Sequence, residues 1–158
     1  MKPILYMMVG VPGSGKTWFA LNKLYRCGNM TYISRDNIRF SKLKDGEDYF
    51  AHEKEVYKEF VKCISNALSA GFDVIADATH ISRGSRKKLI NNISISQDKY
   101  DIIPVMVYCS LEKAKERNRL REGREQVPEK TLENMYHRRS YPNKDDGINY
   151  LAVMEVNN

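Results

Sequence analysis

Gly10-Val11-Pro12-Gly13-Ser14-Gly15-Lys16-Thr17 is the stretch on which the reading of this chain turns. It fits the phosphate-binding pattern G-x-x-x-x-G-K-[ST] at every fixed position. It follows the apolar run Ile4-Leu5-Tyr6-Met7-Met8-Val9 and leads into a helix-compatible segment, Thr17 to Arg26, that ends before Gly28. Glycines let the backbone wrap closely, so successive N–H groups form a concave anion site, and the helix N-terminus adds its positive dipole end. Gly10, Pro12, Gly13, Ser14, Gly15, Lys16 and Thr17 are therefore the expected cradle for the phosphates of ATP. Lys16 reaches the β- and γ-phosphates as a point charge, and the Thr17 hydroxyl is an expected ligand of Mg²⁺. A glycine-rich turn of no special function would not need all of these determinants between a strand and a helix.

The length, 158 residues, suits a single domain over 1–158, and 42% hydrophobic with 29% charged residues is ordinary for a globular protein. Nothing approaches the roughly 18 consecutive apolar residues of a membrane span. The N-terminal apolar run flows straight into the phosphate loop, which makes it a core strand rather than a signal peptide. Cys27, Cys63 and Cys109 are odd in number and widely spaced. They read as thiols in a reducing cytosol, so a cytoplasmic location is expected. The net charge of +6 favours polyanionic partners, either nucleic acid or phosphorylated small molecules. Neither a membrane nor an obligate protein partner is signalled.

Along the chain, strands alternate with helices. Strand 4–9 is followed by the loop and helix 16–26, a short strand 30–33, a short helix around 36–41 and a long amphipathic helix over 48–69. A strand over 72–77 comes next, then a helix over 82–94 with Ser82 as its cap. Ile102 to Cys109 is an almost uninterrupted apolar run, as in a parallel strand covered on both faces, although Pro104 weighs against its first residues. Helices at 111–122 and 128–139 and a last strand at 149–156 complete the order. This alternation predicts an α/β fold, a parallel sheet with helices on both faces. The loops after residues 9, 33, 77 and 109 then converge on one site at the carboxyl ends of the strands.

Each of these loops carries candidate chemistry. Phosphoryl transfer needs an acceptor hydroxyl in line with the γ-phosphate and a base close to its proton. Asp36 is placed to be that base, and Arg39, on the same helix face, to orient the acceptor or a phosphate on it. The competing role for Asp36 is a helix cap, with Arg39 paired to it at the surface. Asp77, at the end of a buried strand, is expected to contact Mg²⁺ or its water shell; the alternative is a cap for the next turn. His80 reads as a hydrogen-bonding loop residue. Arg83 and Arg86 either touch substrate phosphates or are solvated. Arg117 and Arg121 project from one helix face, and with Glu122-Gly123 after them the segment 117–127 reads as a lid. Such a lid brings arginines onto the phosphates of ATP and stabilises charge on the transferring group. The alternative is a solvated helix laced with Glu–Arg pairs.

Together these residues resemble the kinase domain of the phage polynucleotide 5′-kinase family, over nearly the whole chain. G-x-P-G-S-G-K-[ST] matches Gly10 to Thr17, and R-D-x-x-R matches Arg35, Asp36 and Arg39. The family's D-x-T-N turn stands here as Asp77-Ala78-Thr79-His80, with His for Asn. R-N-x-x-R followed by V-P and M-Y corresponds to Arg117-Asn118-Arg119-Leu120-Arg121, Val127-Pro128 and Met135-Tyr136. The resemblance implies a P-loop kinase fold with an arginine-rich lid. The implied reaction is transfer of the ATP γ-phosphate to a 5′-hydroxyl end of DNA or RNA. It makes Asp36 the general base, puts Arg39 on the phosphate next to the acceptor hydroxyl and puts Arg121 on the ATP phosphates. The D-x-D-G-[ST] signature of the 3′-phosphatase domain fused to some members is not supplied by Asp145-Asp146-Gly147.

Two other readings stand beside this one. An acid-plus-arginine pair suits any hydroxyl acceptor bearing an anionic group, which allows a nucleoside, sugar or other small-molecule kinase. A nucleotide-binding switch or ATPase with water as acceptor would not need Asp36 or the arginine-rich lid.

Overall fold

Five strands carry the fold: β1 (Ile4–Val9), β2 (Met30–Ser34), β3 (Asp73–Asp77), β4 (Asp101–Tyr108) and β5 (Met154–Asn157). They lie in the order β2-β3-β1-β4-β5, and every neighbouring pair is parallel. The computed structural model describes residues 1–158. Six helices connect the strands: α1 (Lys16–Phe19), α2 (Arg35–Lys42), α3 (Glu53–Ser69), α4 (Arg83–Asn92), α5 (Leu111–Arg119) and α6 (Glu129–Arg138). The expected α/β class and parallel sheet are what the chain forms.

Alternation along the strands divides the core between the two faces of the sheet. Leu5 and Met7 of β1 pack with Val74, Ala76 and Ile102 under Phe60, Ile64 and Leu68 of α3 and Leu89 and Ile90 of α4. Met8, Ile75, Val105 and Val107 face the other way, against Ala20 and Leu24. Pro104 fits inside β4 for a related reason. The carbonyls of Ile102 and Tyr108 point toward β5, accepting from Leu151 and Asn158 N–H groups, each at 2.9 Å. Pro104 shares their parity, and β5 pairs with β4 only from Val105 onward. Its missing N–H therefore leaves the ladder to β1 intact.

Helix starts are set by side chains that satisfy free backbone donors. Ser34 accepts from Asn37 N–H at 3.2 Å, Ser82 from Ser85 N–H at 3.1 Å, and Ser110 from Lys113 N–H at 3.2 Å. Element boundaries depart from expectation in several places. α5 ends at Arg119 rather than 122, so Arg121 lies beyond the helix and does not share a helix face with Arg117. α1 opens into a π-helical turn over Ala20–Leu24, closed by Tyr25 N–H on Ala20 O at 2.8 Å, and stops two residues early. α3 begins at Glu53, not 48, because Asp48 accepts from Phe50 N–H at 2.9 Å and holds residues 48–50 in a turn. β5 begins at Met154 because Ile148 and the ring of Tyr150 turn into the core instead of extending.

Candidate active site

β1 delivers the chain to the phosphate loop at Gly10, whose N–H donates to Thr79 O at 2.9 Å. The loop beside the end of β3 is thereby tied to the start of the cradle. Gly13 (φ 81°) and Gly15 (φ 98°) lie in the left-handed region, and a Cβ on Gly13 would come within 2.5 Å of Ala114 O. No side chain fits there. Lys16 arches back and donates from Nζ to Val11 O at 3.1 Å. Burial pushes its ammonium pKa down, with Arg121 acting in the same sense and Asp77 and Asp36 opposing. Ser14 Oγ is buried without a partner, an unsatisfied group that a phosphate oxygen would satisfy. Above the loop opens a cavity of about 520 Å³, lined by the loop together with Trp18, Arg117, Arg121 and Asn158.

Asp77 is brought to this loop by the pairing of β1 with β3. Its Oδ2 accepts from Thr17 Oγ1 at 2.7 Å and from Tyr32 OH at 2.6 Å. Burial, reinforced by Asp77, pushes the Tyr32 phenol pKa up, so Tyr32 remains a donor. A hydroxyl and a carboxylate in contact at the mouth of a phosphate cradle are the hard oxygen donors that suit Mg²⁺. That ion ordinarily takes one or two protein oxygens plus substrate phosphates.

A second cavity, of about 440 Å³, lies on the other side of Lys16 and Thr17. Asp36 lines it, with its side chain 52% exposed. Arg39 sits behind it, 5% exposed, and pairs with Asp36. Arg39 Nη1 also meets Tyr49 OH at 2.6 Å, Nη2 donates to Glu53 Oε2 at 2.7 Å, and the guanidinium lies 4.1 Å from the Tyr49 ring centroid. Tyr49 OH donates to Asp36 Oδ1 at 2.6 Å. Glu53 takes Arg35 with its other oxygen. Asp36 and Arg39 share a face and pair, as their spacing predicts, but Arg39 is buried rather than at the surface, and Ser34, not Asp36, caps the helix. Arg39 is a buried strut between two carboxylates.

The two cavities share Lys16, Thr17 and Arg121 in their walls. Arg121 is held there by the segment expected to be a lid. Asn118 Nδ2 donates to Val127 O at 2.7 Å and Val127 N–H donates to Asn118 Oδ1 at 3.0 Å, pinching 118–127 into a closed loop. Arg124 Nη1 bonds the carbonyls of Lys44 and Glu47 at 3.2 and 3.0 Å. Arg117 Nη1 rests on the carbonyls of Gly13 and Ser14 at 3.2 and 3.3 Å. Arg119 faces away and pairs with Glu129.

Two arginines considered for phosphates separate. Arg83 is exposed, whereas Arg86 is buried and grips Asp146 through Nε and Nη2 at 2.7 and 3.0 Å. Arg86 Nη1 also donates to His80 O at 3.1 Å. It is neither solvated nor open to substrate. His80 is the only non-glycine residue with positive φ, 41°, a conformation in which Asn and His are both enriched. That shared tolerance accounts for His where the resembled motif has Asn. Its Nδ1 donates to Met8 O at 2.8 Å, and burial pushes its pKa down to about 4. Sequence reasoning assigned no role to Glu53, Tyr49 or Asn118. Asn118 lies inside the quoted R-N-x-x-R motif; Glu53 and Tyr49 carry no local signal, since only tertiary folding brings them to Arg39.

Residues 5–142 match the family model described as an AAA domain, and the chain belongs to that family. No curated protein sequence matches it. Among solved structures it is similar to a chain of the Pnkp1/Rnl/Hen1 RNA repair complex, with TM-score 0.73 and 24% identity over 87% of this chain and 44% of that one. It therefore spans under half the length of that relative. It is also similar to a fungal RNA kinase (TM-score 0.61, 15% identity, 98% and 74% covered). A sugar kinase from Janibacter sp. HTCC2649 is likewise similar (TM-score 0.64, 16% identity, 99% and 86% covered). These likenesses establish the fold, an α/β domain built around a phosphate-binding loop.

Proposed function

We propose that this member of the AAA-domain family is a polynucleotide 5′-hydroxyl kinase, with ATP as phosphoryl donor. The observation that carries the reading is the meeting of two cavities at Lys16, Thr17 and Arg121, with Asp36 on the far side from the phosphate loop. A donor triphosphate laid along the cradle puts its γ-phosphoryl group at that junction. A hydroxyl entering from the second cavity passes Asp36 on its way there.

In this reading Asp36 takes the proton of the 5′-hydroxyl as the new O–P bond forms, and the bond from the γ-phosphorus to the bridging oxygen breaks to release ADP. Lys16 leaves Val11 O for the β- and γ-phosphate oxygens, and Arg121 meets the charge that grows on the transferring group. Arg117 supports the loop from the ATP side. Arg39 orients the Asp36 carboxylate from the wall of the second cavity, where the resemblance implies a contact with the phosphate 3′ of the first nucleoside. Thr17 and Asp77 would hold Mg²⁺, which supplies neutralising charge to the phosphate oxygens when bound.

The acceptor assignment is supported by R-D-x-x-R lining the second cavity, by the net charge of +6 and by the fold shared with a fungal RNA kinase and with a chain of an RNA repair complex. A small-molecule kinase is the second reading, favoured by the sugar kinase that shares nearly the whole fold. Labelled-phosphate transfer from ATP separates the two. The proposal expects 5′-hydroxyl oligonucleotides and nucleoside 3′-monophosphates to be phosphorylated well and plain nucleosides and sugars poorly. An uncharged metabolite that outperforms every oligonucleotide would replace the polynucleotide assignment with the second reading.

A further inference from the structure

We infer that Phe50 is a stacking surface for the first nucleobase of the acceptor strand; the inference rests on the polynucleotide reading and specifies how that strand is held. Phe50 is 63% exposed. A lone exposed apolar residue is ordinary on a protein surface. Phe50 differs in its placement, because it lines the same cavity as Asp36 and stands one ring away from that carboxylate. The ring between them is Tyr49. Its hydroxyl donates to Asp36 Oδ1 at 2.6 Å, and its centroid is 4.8 Å from that of Phe50 with the planes at 87°.

This aromatic corner is built rather than loose. Tyr49 is fixed by Asp36, by the Arg39 guanidinium 4.1 Å from its centroid and by the edge of Phe40, with ring centroids 6.1 Å apart. The Phe50 backbone is fixed by the bond of its N–H to Asp48 Oδ1 at 2.9 Å. Tyr49 thus has its hydroxyl and ring already engaged. Among the aromatic rings of this cavity, Tyr32, Phe40, Tyr49 and Phe50, only Phe50 is exposed, with the Arg39 guanidinium 5.9 Å from its centroid.

An acceptor whose 5′-oxygen is within hydrogen-bond reach of Asp36 carries its base on the same ribose. Whatever receives that base must lie close to Asp36, and an aromatic face does so without reading base identity, because every base has a π-face. The acceptor site is then indifferent to which base comes first and dependent on there being one.

The test uses 5′-hydroxyl oligonucleotides identical except at the first residue, which carries either a base or a stable abasic sugar with its 5′-hydroxyl intact. kcat/KM is measured for the unaltered protein, Phe50→Ala and Phe50→Trp. The unaltered protein is expected to lose about tenfold on the abasic end, within the range for one base–aromatic contact. Phe50→Ala is expected to lose a similar factor on the base-bearing end and little more on the abasic one, while Phe50→Trp keeps the preference. Equal rates on both substrates in the unaltered protein would overturn the inference. So would a Phe50→Ala variant that slows both alike, since that is structural damage without base selectivity. If ATP binds but no oligonucleotide is phosphorylated, the polynucleotide reading itself fails and this subsite falls with it.

Discussion

Glu53 joins both arginines of the R-D-x-x-R segment: one carboxylate oxygen takes Arg39 Nη2 at 2.7 Å and the other takes Arg35. The first turn of α3 thereby fixes the arginine that fixes Asp36. Glu53→Gln keeps the size of this anchor and removes its charge. Transfer is expected to fall about 10–100-fold through misplacement of Asp36, with KM for ATP unchanged. Steady-state kinetics checks this, and an unchanged kcat would show that Asp36 needs no such support.

Arg121 and Arg119 stand two residues apart with opposite expectations. Arg121 borders both cavities, so Arg121→Ala should cost about 10²–10³ in transfer, as loss of an electrostatic contact to the transition state does. Arg121→Lys should restore little, because only guanidinium offers a planar fork to phosphate oxygens. Arg119, 60% exposed and paired with Glu129, should tolerate Ala with little effect on rate or stability. Equal losses at the two positions would favour a diffuse basic patch over one placed arginine.

His80 couples the fold to acid. Its pKa lies near 4 in the folded protein, against a value of 6.5 for an exposed histidine. The unfolded chain therefore binds a proton that the folded one refuses. The stability this residue allows is complete above pH 6.5 and is lost as pH falls from 6.5 toward 4, by about 1.4 kcal/mol for each pH unit of that window. His80→Asn preserves a residue suited to positive φ and removes the titration. Urea denaturation at a series of pH values should show a flatter profile for the variant over this window, and parallel profiles would remove His80 from the acid response.

The buried pair of Arg86 and Asp146 makes a prediction about stability rather than chemistry. Asp146 also accepts from Tyr150 OH at 2.7 Å. Asp146→Ala leaves the Arg86 guanidinium uncompensated in the core, which costs about 3–5 kcal/mol. For a domain of this size that is a fall in Tm of at least about 6 °C. A Tm within a degree of the unaltered protein would mean that water or another side chain readily replaces the carboxylate.

The parts of the fold legible in the sequence were those with a local cause. The phosphate loop, the alternation of strands and helices and the cap at Ser82 are written within a few residues of where they act; the caps at Ser34 and Ser110 are equally local but were not read. The start of α3 was misplaced because helical periodicity runs back through Tyr49 and Phe50, while Asp48 diverts the backbone into a turn. Asp36 and Arg121 were reachable by asking which loops follow parallel strands. Glu53 was not, since its meeting with Arg39 depends on how α3 packs beside α2. Arg86 was read as touching substrate phosphates or as solvated, because its partner, Asp146, lies 60 residues along the chain in a short 3-10 helix, Lys144–Asp146.

The central claim is that Asp36 serves as the base for a hydroxyl acceptor at the junction of the two cavities. Its most direct test is the rate of γ-phosphate transfer by Asp36→Asn, measured beside ATP affinity on the same preparation. Asparagine keeps the shape and a hydrogen-bonding oxygen for Arg39 and Tyr49 but cannot take the proton. The account predicts unchanged ATP affinity with transfer reduced at least about 10²-fold, the lower end of what a general base contributes. Transfer by Asp36→Asn at the rate of the unaltered protein would contradict it.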